Sequence, residues 1–189
     1  MAWSKTKQLL ESFLCPALYR RVEYCATSYG YLPDKAGLCY ITVNKKNVFN
    51  MKDATTLIRW YQTEQEIKND PDIQIPINNE EIEVVRKDTN GTVPEDRLVV
   101  IARNRKISDY ANELLSAQSV LSKSNFIVVA NKFLSISIKE SIESNEILLN
   151  ILALVDRRVG KKRLLSMTEN IKLKHPIVQY FYDLRLSTL

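Results

Sequence analysis

The stretch from Val22 to Met51 constrains the fold most, because it is dense in β-branched and aromatic residues and is interrupted by turn residues. It predicts three short strands: Val22–Tyr29, Leu38–Val43 and Asn47–Met51. Asn44-Lys45-Lys46 predicts a hairpin between the last two strands, and residues 30–37 (GYLPDKAG) are typical of a turn. Three short strands are marginally stable unless a helix covers one face, so the flanking sequence must supply helices.

Two helices are predicted beside these strands. Residues 4–14 place apolar side chains on one face, with Ser4 as the N-cap and Cys15-Pro16 as the stop. Residues 53–68 begin at Asp53, a suitable N-cap. This second helix has a stripe that we expect to cover the sheet, formed by Leu57, Trp60, Tyr61, Glu64 and Ile67. Residues 1–70 are therefore interpreted as helix, antiparallel sheet and covering helix.

The best candidate boundary is residues 69–77 (NDPDIQIPI), an extended run with two prolines. Beyond it, residues 76–189 are predicted to be helical and to pack on the first part as one unit. Further helices are predicted at about 95–120, 124–134, 145–159 and 176–186, with residues 97–102 as an alternative strand and a break at 103–106 (RNRK). Four sequences have the spacing of helix N-caps or capping boxes: Asn78–Glu81, Thr92–Glu95, Ser137–Glu140 and Ser166–Glu169. The fold class predicted is α+β, a small antiparallel sheet with flanking helices followed by a helical bundle.

The charge of the chain is concentrated in one segment. The 189 residues carry 27 Lys and Arg and 22 Asp and Glu, a net charge of +5. Residues 155–174 alone contain seven basic and two acidic residues, and their net charge of +5 equals that of the whole chain. Within it lies a basic corner, defined as the five candidate anion-binding or nucleic-acid-binding residues Arg157, Arg158, Lys161, Lys162 and Arg163.

The basic corner has three interpretations. Arg157 and Arg158 complement the dipole of the preceding helix, and Asp156 is placed to pair with Arg163 or with a lysine, which are purely structural roles. A phosphate or nucleic-acid site is the functional alternative, with Tyr180, Phe181 and Tyr182 available to stack on bases if exposed. The helix–Gly–helix pattern is also compatible with a helix-turn-helix, although the charged run Asp156–Arg158 fits a close helix contact poorly.

Features of an enzyme are sparse. His175 is the single histidine, and its position before Pro176 favours a helix cap. Cys25 and Cys39 fall in predicted strands, so a Cys–His pair is a third reading, behind buried structural thiols. The sequence has neither a GxxxxGK[ST] nor a GxGxxG loop, and its acidic clusters fall in first turns of helices. We expect no cofactor and no metal site.

Two segments resemble a small uncharacterised bacterial family, a domain of unknown function. One is the N-terminal start, with Trp3-Ser4-Lys5, Phe13-Leu14-Cys15 and Arg21-Val22-Glu23. The other is the C-terminal signature, residues 151–164 (ILALVDRRVGKKRL) followed by residues 181–185 (FYDLR). The resemblance implies a full-length member in which the sheet and the helices form one unit. It implies no activity, cofactor or catalytic residue.

The favoured function is a non-enzymatic cytoplasmic binding or protein-interaction module, with a protein partner or a second copy of the chain as its partner. The alternative is nucleic-acid or phosphate binding through residues 157–163, and the third is a cysteine-dependent enzyme. Three unpaired cysteines and the lack of a signal-peptide-like start favour the cytoplasm. The longest apolar stretch, Ile147–Val155, is too short to span a bilayer, so we expect no membrane insertion.

Overall fold

The computed structural model describes residues 2–30 and 36–189, and it confirms the α+β prediction. The sheet has three antiparallel strands in the order β1-β2-β3. Most of the predicted turn at residues 30–37 lies outside the described residues. The strands are β1 (Val22–Ser28), β2 (Gly37–Val43) and β3 (Lys46–Lys52).

The hairpin between β2 and β3 forms as predicted. Asn44 and Lys45 both have positive φ angles, 50° and 65°, which is the geometry of a two-residue turn that matches the twist of the strands. Val43 pairs with Lys46 across this turn and with Val22 on β1. The register therefore brings the start of β1 and the hairpin turn to the same end of the sheet.

The other regular elements of the described chain are ten α-helices and one 3-10 helix. They are α1 (Trp3–Phe13), the 3-10 helix (Pro16–Leu18), α2 (Asp53–Asn69), α3 (Asn79–Asp88), α4 (Glu95–Ala117), α5 (Lys123–Ser135), α6 (Ile138–Glu143), α7 (Ile147–Leu154), α8 (Lys161–Ser166), α9 (Thr168–Lys172) and α10 (Pro176–Leu186).

The chain forms two compact units. The sheet unit comprises residues 1–56 and 119–189, and the inserted unit comprises residues 57–118. The boundary predicted at 69–77 falls within the inserted unit. The prediction that the whole chain forms one unit remains a prediction.

The sheet unit has the larger core. Helices α1 and α5 pack on one face of the sheet, where Phe126 of α5 lies between Trp3 (centroids 5.6 Å apart) and Tyr24 (6.3 Å). Phe126 and Tyr24 are both almost completely buried. Burial raises the pKa of the Tyr24 hydroxyl far above its ordinary value. The apolar helix α7 adds seven buried residues to this core.

The inserted unit contains two small clusters with three buried residues each among those described. One is Ile67, Ile107 and Ala111, and the other is Val85, Leu98 and Ala102. Helix α4 runs continuously through this unit, so the alternative strand at 97–102 and the break at 103–106 are both wrong. Good helix formers in the RNRK sequence explain the continuity.

Helix α2 begins at Asp53 as predicted, but only part of its expected stripe is buried. Leu57 is 64% exposed and Tyr61 is 59% exposed, whereas Glu64 and Ile67 of the same stripe are buried. Since α1 and α5 already cover one face of the sheet, the sheet does not depend on this stripe. The Asp53 carboxylate accepts hydrogen bonds from the backbone N–H groups of Gly37 (2.7 Å) and Ser124 (3.4 Å).

Two of the predicted capping boxes form. Asn78 and Ser137 cap α3 and α6 through complete capping boxes with Glu81 and Glu140. Three others are wrong, because α1, α4 and α9 begin after Ala2, Pro94 and Met167, none of which makes a side-chain cap. The Thr92 and Ser166 hydroxyls instead donate to carbonyls three residues earlier.

The predicted helix at 145–159 is shorter than expected, since α7 ends at Leu154. Gly160 is not its stop but the N-cap of α8. The chain turns between them because residues 155–157 bond to residues 13–15, as described below. Asn150 is buried within α7, and its side-chain amide donates to the carbonyls of Ser141 (2.9 Å) and Ser144 (3.0 Å), which fixes the turn after α6.

Candidate nucleic-acid interface

The basic corner is held by main-chain bonds to the N-terminal segment. Leu14 and Asp156 form an isolated antiparallel bridge. The Cys15 N–H donates to the Val155 carbonyl, and the Arg157 N–H donates to the Phe13 carbonyl, both at 2.8 Å. The backbone that presents the basic corner is therefore fixed against a part of the chain about 140 residues away in sequence.

Arg158 does not share the surroundings of its neighbours. Its Nε and terminal nitrogen donate to the buried Asp156 carboxylate at 2.8–3.1 Å, and its backbone N–H donates at 2.7 Å. The guanidinium also lies 4.2 Å from the centroid of the Phe13 ring. The suggested pairing of Asp156 with Arg163 or a lysine is wrong, because the tight turn brings Arg158 to it first. Arg158 therefore has a structural role. The other four residues of the basic corner remain candidates for binding an anion or a nucleic acid.

The other four residues point their charges outward. Arg157, Lys161 and Lys162 are exposed and Arg163 is half-buried. Within the described part of the chain, none of the four forms an ion pair, and the first turn of α8 has no acidic residue. Lys161 and Lys162 occupy the first two positions of α8, where the helix dipole disfavours cations, whereas Arg163 lies in its last turn. Stability of α8 therefore does not explain the placement of the two lysines.

The aromatic side chains predicted to stack on bases are mostly unavailable. Phe181 and Tyr182 are buried, and the Tyr182 hydroxyl donates to the Leu164 carbonyl at 3.0 Å. Tyr180 is 40% exposed and meets Phe181 edge to face. Helix α8 has six residues, too short for a recognition helix, so the geometry does not favour the helix-turn-helix alternative.

A second basic group, absent from the sequence-based candidates, lies at the hairpin end of the sheet. This sheet-end cluster consists of Arg20, Arg21, Lys45 and Lys46. Arg21 Nε donates to Asn44 Oδ1 at 3.1 Å, which ties the start of β1 to the hairpin turn. Tyr19 beside it is 58% exposed, and the Arg20 guanidinium lies 5.6 Å from its ring centroid. The sequence contained one signal for this cluster, the predicted hairpin. Its register brings Lys45 and Lys46 to the end of the sheet where β1 begins, directly after Arg20 and Arg21.

His175 is a capping residue. Its Nδ1 accepts a hydrogen bond from the Ile177 N–H (3.2 Å), so Nδ1 carries no proton. In the tautomer that this contact requires, Nε2 carries the ring proton and donates to Ser119 Oγ at 2.9 Å. Although Ser119 has the positive φ (61°) found in some nucleophile turns, a ring that donates to this hydroxyl is not the base that would activate it.

The thiols offer no better nucleophile. Burial raises the pKa of the Cys39 thiol to about 12, so Cys39 is a neutral thiol near neutral pH. Cys15 is buried, and Cys25 lies opposite Tyr40 in the sheet register. Both ring nitrogens of His175 are already in use, so the geometry does not favour a Cys–His pair.

Comparison with known proteins assigns the family. The SF0329 protein family matches residues 2–186.

The chain belongs to the SF0329 protein family.

SF0329 is an uncharacterised family, which agrees with the resemblance at that level, whereas the bacterial origin remains a prediction. No curated protein and no solved structure matches the chain. The match of the SF0329 family includes both units and both basic groups.

The described residues contain neither a metal-binding group nor a membrane-spanning helix. Within residues 2–30 and 36–189, the His, Cys, Asp and Glu side chains form no group of three or more that could hold a metal ion. Every helix in this part of the SF0329 chain is too short or too polar to cross a membrane.

Proposed function

We propose that this SF0329 protein is a non-enzymatic binding protein whose sheet unit binds single-stranded nucleic acid. The observation that carries the proposal is a set of eight cations of the sheet unit, four in the basic corner and four in the sheet-end cluster. None of the eight is in an ion pair with another described residue. They are Arg20, Arg21, Lys45, Lys46, Arg157, Lys161, Lys162 and Arg163.

The charge of the sheet unit supports a polyanionic ligand. It carries 19 basic and 10 acidic residues, a net charge of +9, whereas the inserted unit carries 8 and 12, a net charge of −4. The whole-chain value of +5 conceals this separation. A phosphate backbone neutralises several separated cations at once and releases counterions, which is the main source of non-specific affinity for nucleic acids.

The single-stranded form is favoured by the exposed aromatic ring beside the cations. Tyr19 lies next to Arg20 in the sheet-end cluster, and base stacking on such a ring contributes about 1–3 kcal/mol per base. Neither basic group presents a long helix of the kind that enters the major groove of a duplex.

The experiment measures fluorescence anisotropy of a labelled thymidine 12-mer from low to moderate salt. Log affinity should fall linearly with log salt, with a slope of about −0.7 per neutralised phosphate. Arg157→Glu/Lys161→Glu should weaken binding at least tenfold and reduce the magnitude of the slope by about 1.4. Lys45→Glu/Lys46→Glu should act similarly. The matched control Lys5→Glu/Lys87→Glu changes net charge equally at two exposed residues elsewhere and should alter affinity less than threefold.

Three results would overturn this proposal. They are no binding at low salt, binding without salt dependence, and equal loss of affinity in the control variant. Tighter binding of a duplex of the same length would overturn the single-stranded part.

A second candidate is the protein-interaction role favoured by the sequence. The specific observation is in the inserted unit, where an extended segment between α2 and α3 pairs with no strand among the described residues and runs beside a groove. This role rests on residues other than the eight cations, so the two proposals stand or fall separately.

A further inference from the structure

The extended segment of the inserted unit is residues 73–77, and it is fixed in place by alternate side chains. Ile73, Ile75 and Ile77 are half-buried, whereas Gln74 and Pro76 are exposed. Ile73 and Ile75 pack on the cluster of Ile67, Ile107 and Ala111, and Ile77 packs on the cluster of Val85, Leu98 and Ala102. The segment therefore has the alternation of a strand with one face on a core.

The main chain of this segment is largely unpaired. The N–H groups of Gln74, Ile75 and Ile77 make no hydrogen bond to any described residue, and neither do the carbonyls of Ile73, Gln74 and Ile75. The Pro76 carbonyl differs from these groups, because it accepts a hydrogen bond from Lys106 Nζ at 2.7 Å. An extended backbone with free donors and acceptors is a template for an added strand.

A groove of about 690 Å³ runs between this segment and α4. Ile73, Ile75 and Pro76 line one side, and the half-exposed ring of Tyr110 lies on the other. This volume is within the range of ligand sites in proteins. It supplies space next to the unpaired backbone for a second extended chain.

The rim of the groove is acidic. Asp72, Asp109 and Glu113 are exposed there and form no ion pair with other described residues. Lys106 does not neutralise them, because its ammonium is bound to Glu81 at 2.6 Å and to the Pro76 carbonyl. The charge of the groove therefore complements a cationic partner, in keeping with the −4 charge of the inserted unit.

We propose that residues 73–77 accept an extended peptide with Lys or Arg at alternate positions, added as a strand in the groove. Main-chain bonds form to Ile75 and Ile77, whose free N–H groups lie on the same edge of the extended segment because alternate residues share an edge. The cationic side chains of the peptide reach Asp109 and Glu113. The proposal rests on the protein-interaction role and is independent of nucleic-acid binding, because it uses none of the eight cations.

The test uses the full chain and a labelled hexapeptide of alternating Val and Lys. Anisotropy should show saturable binding, and Asp109→Asn/Glu113→Gln should weaken it at least tenfold. The control Glu66→Gln/Asp183→Asn removes one exposed carboxylate of each type outside the groove and should change affinity less than twofold. At saturating peptide, hydrogen exchange at Ile75 and Ile77 should slow at least tenfold, because both amides become hydrogen-bonded.

Two altered peptides keep the test decisive even if a variant misfolds. Replacing Lys by Glu should abolish binding, and N-methylation of alternate residues should weaken it at least tenfold by removing main-chain donors. The proposal is overturned by no binding of the Val-Lys peptide, by equal binding to the groove variant, or by unchanged exchange at residues 73–77. Equal affinity of the N-methylated peptide would mean ion pairing without strand addition, which also overturns it. Loss of thymidine 12-mer binding in the cation variants would leave all these results unchanged.

Discussion

Phe126, Phe181 and Tyr24 are fully buried in the sheet unit, whereas the inserted unit buries no side chain larger than leucine or isoleucine among its described residues. The sheet unit has one continuous core, and the inserted unit has two clusters of three buried residues. Their charges also have opposite signs. The sheet unit therefore has the larger set of stabilising core contacts, whereas the inserted unit exposes unpaired backbone. We expect the sheet unit to have the larger free energy of unfolding.

The two tryptophans allow this difference to be measured, because Trp3 lies in the sheet unit and Trp60 in the inserted unit. Trp60→Phe leaves a reporter for the first unit, and Trp3→Phe leaves one for the second. In urea, the Trp60 signal should change at a lower concentration than the Trp3 signal. Coincident transitions would show that the units unfold together and would break the comparison.

Core truncations should give the largest effects. Phe126→Ala should lower the free energy of unfolding seen by Trp3 by about 3–5 kcal/mol, because it removes a ring packed on Trp3 and Tyr24. Leu98→Ala should lower the free energy seen by Trp60 by only about 2–3 kcal/mol, since a small cluster collapses more easily around the cavity. Each variant is measured with both reporters. A larger loss for Leu98→Ala would contradict the assignment of the main core to the sheet unit.

Removing an ion pair should also lower the free energy of unfolding more in the sheet unit than in the inserted unit, but by smaller amounts than the core truncations. Arg158→Ala leaves the Asp156 carboxylate buried without its partner and should cost about 3 kcal/mol. Arg86→Ala removes exposed pairs with Glu83 and Glu95 in the inserted unit and should cost less than about 1 kcal/mol. Urea unfolding with the matching tryptophan measures both. Arg158→Lys, which keeps the charge but loses the paired N–H geometry, should fall between wild type and Arg158→Ala; full recovery by lysine would contradict the bidentate role.

Acid should produce the smallest difference in stability between the two units. The pKa of Glu81 is lowered mainly by its hydrogen bond to Lys106 and also by the Asn78 N–H, and the pKa of Glu140 is lowered by hydrogen bonds from Ser137. A lowered pKa stabilises the fold above the ordinary glutamate value, and this stabilisation is lost as pH falls through the folded pKa. Glu81→Gln should flatten the acid dependence of the Trp60 transition, and Glu140→Gln that of the Trp3 transition. A change in the opposite reporter would show coupling between the units.

Local sequence signals predicted much of the fold. The hairpin at Asn44-Lys45, the cap at Asn78 and the helix after His175 each depend on residues close together in the chain. The predictions at Thr92 and Ser166 failed because a hydroxyl with capping spacing has competing carbonyls in the preceding turn. Local spacing does not decide between those two partners.

The candidate interface was predicted only in part, because its geometry depends on distant contacts. Arg158 joined the sequence-based candidates, and its pairing with Asp156 became visible only once the Leu14 bridge had fixed the turn. The sheet-end cluster required the register of β1 against the hairpin. The acidic groove required α4 to lie beside residues 73–77, although the sequence marked that run as extended.

The position of the inserted unit also determines the order in which the protein can fold during synthesis. The sheet is complete at Lys52, but α7, which fills much of its core, ends at Leu154. At ribosomal rates of roughly 5–20 residues per second, the three strands wait roughly 5–20 s until α7 is complete. The inserted unit is synthesised whole within that interval. The nascent sheet therefore lacks part of its core for longer than its own length requires.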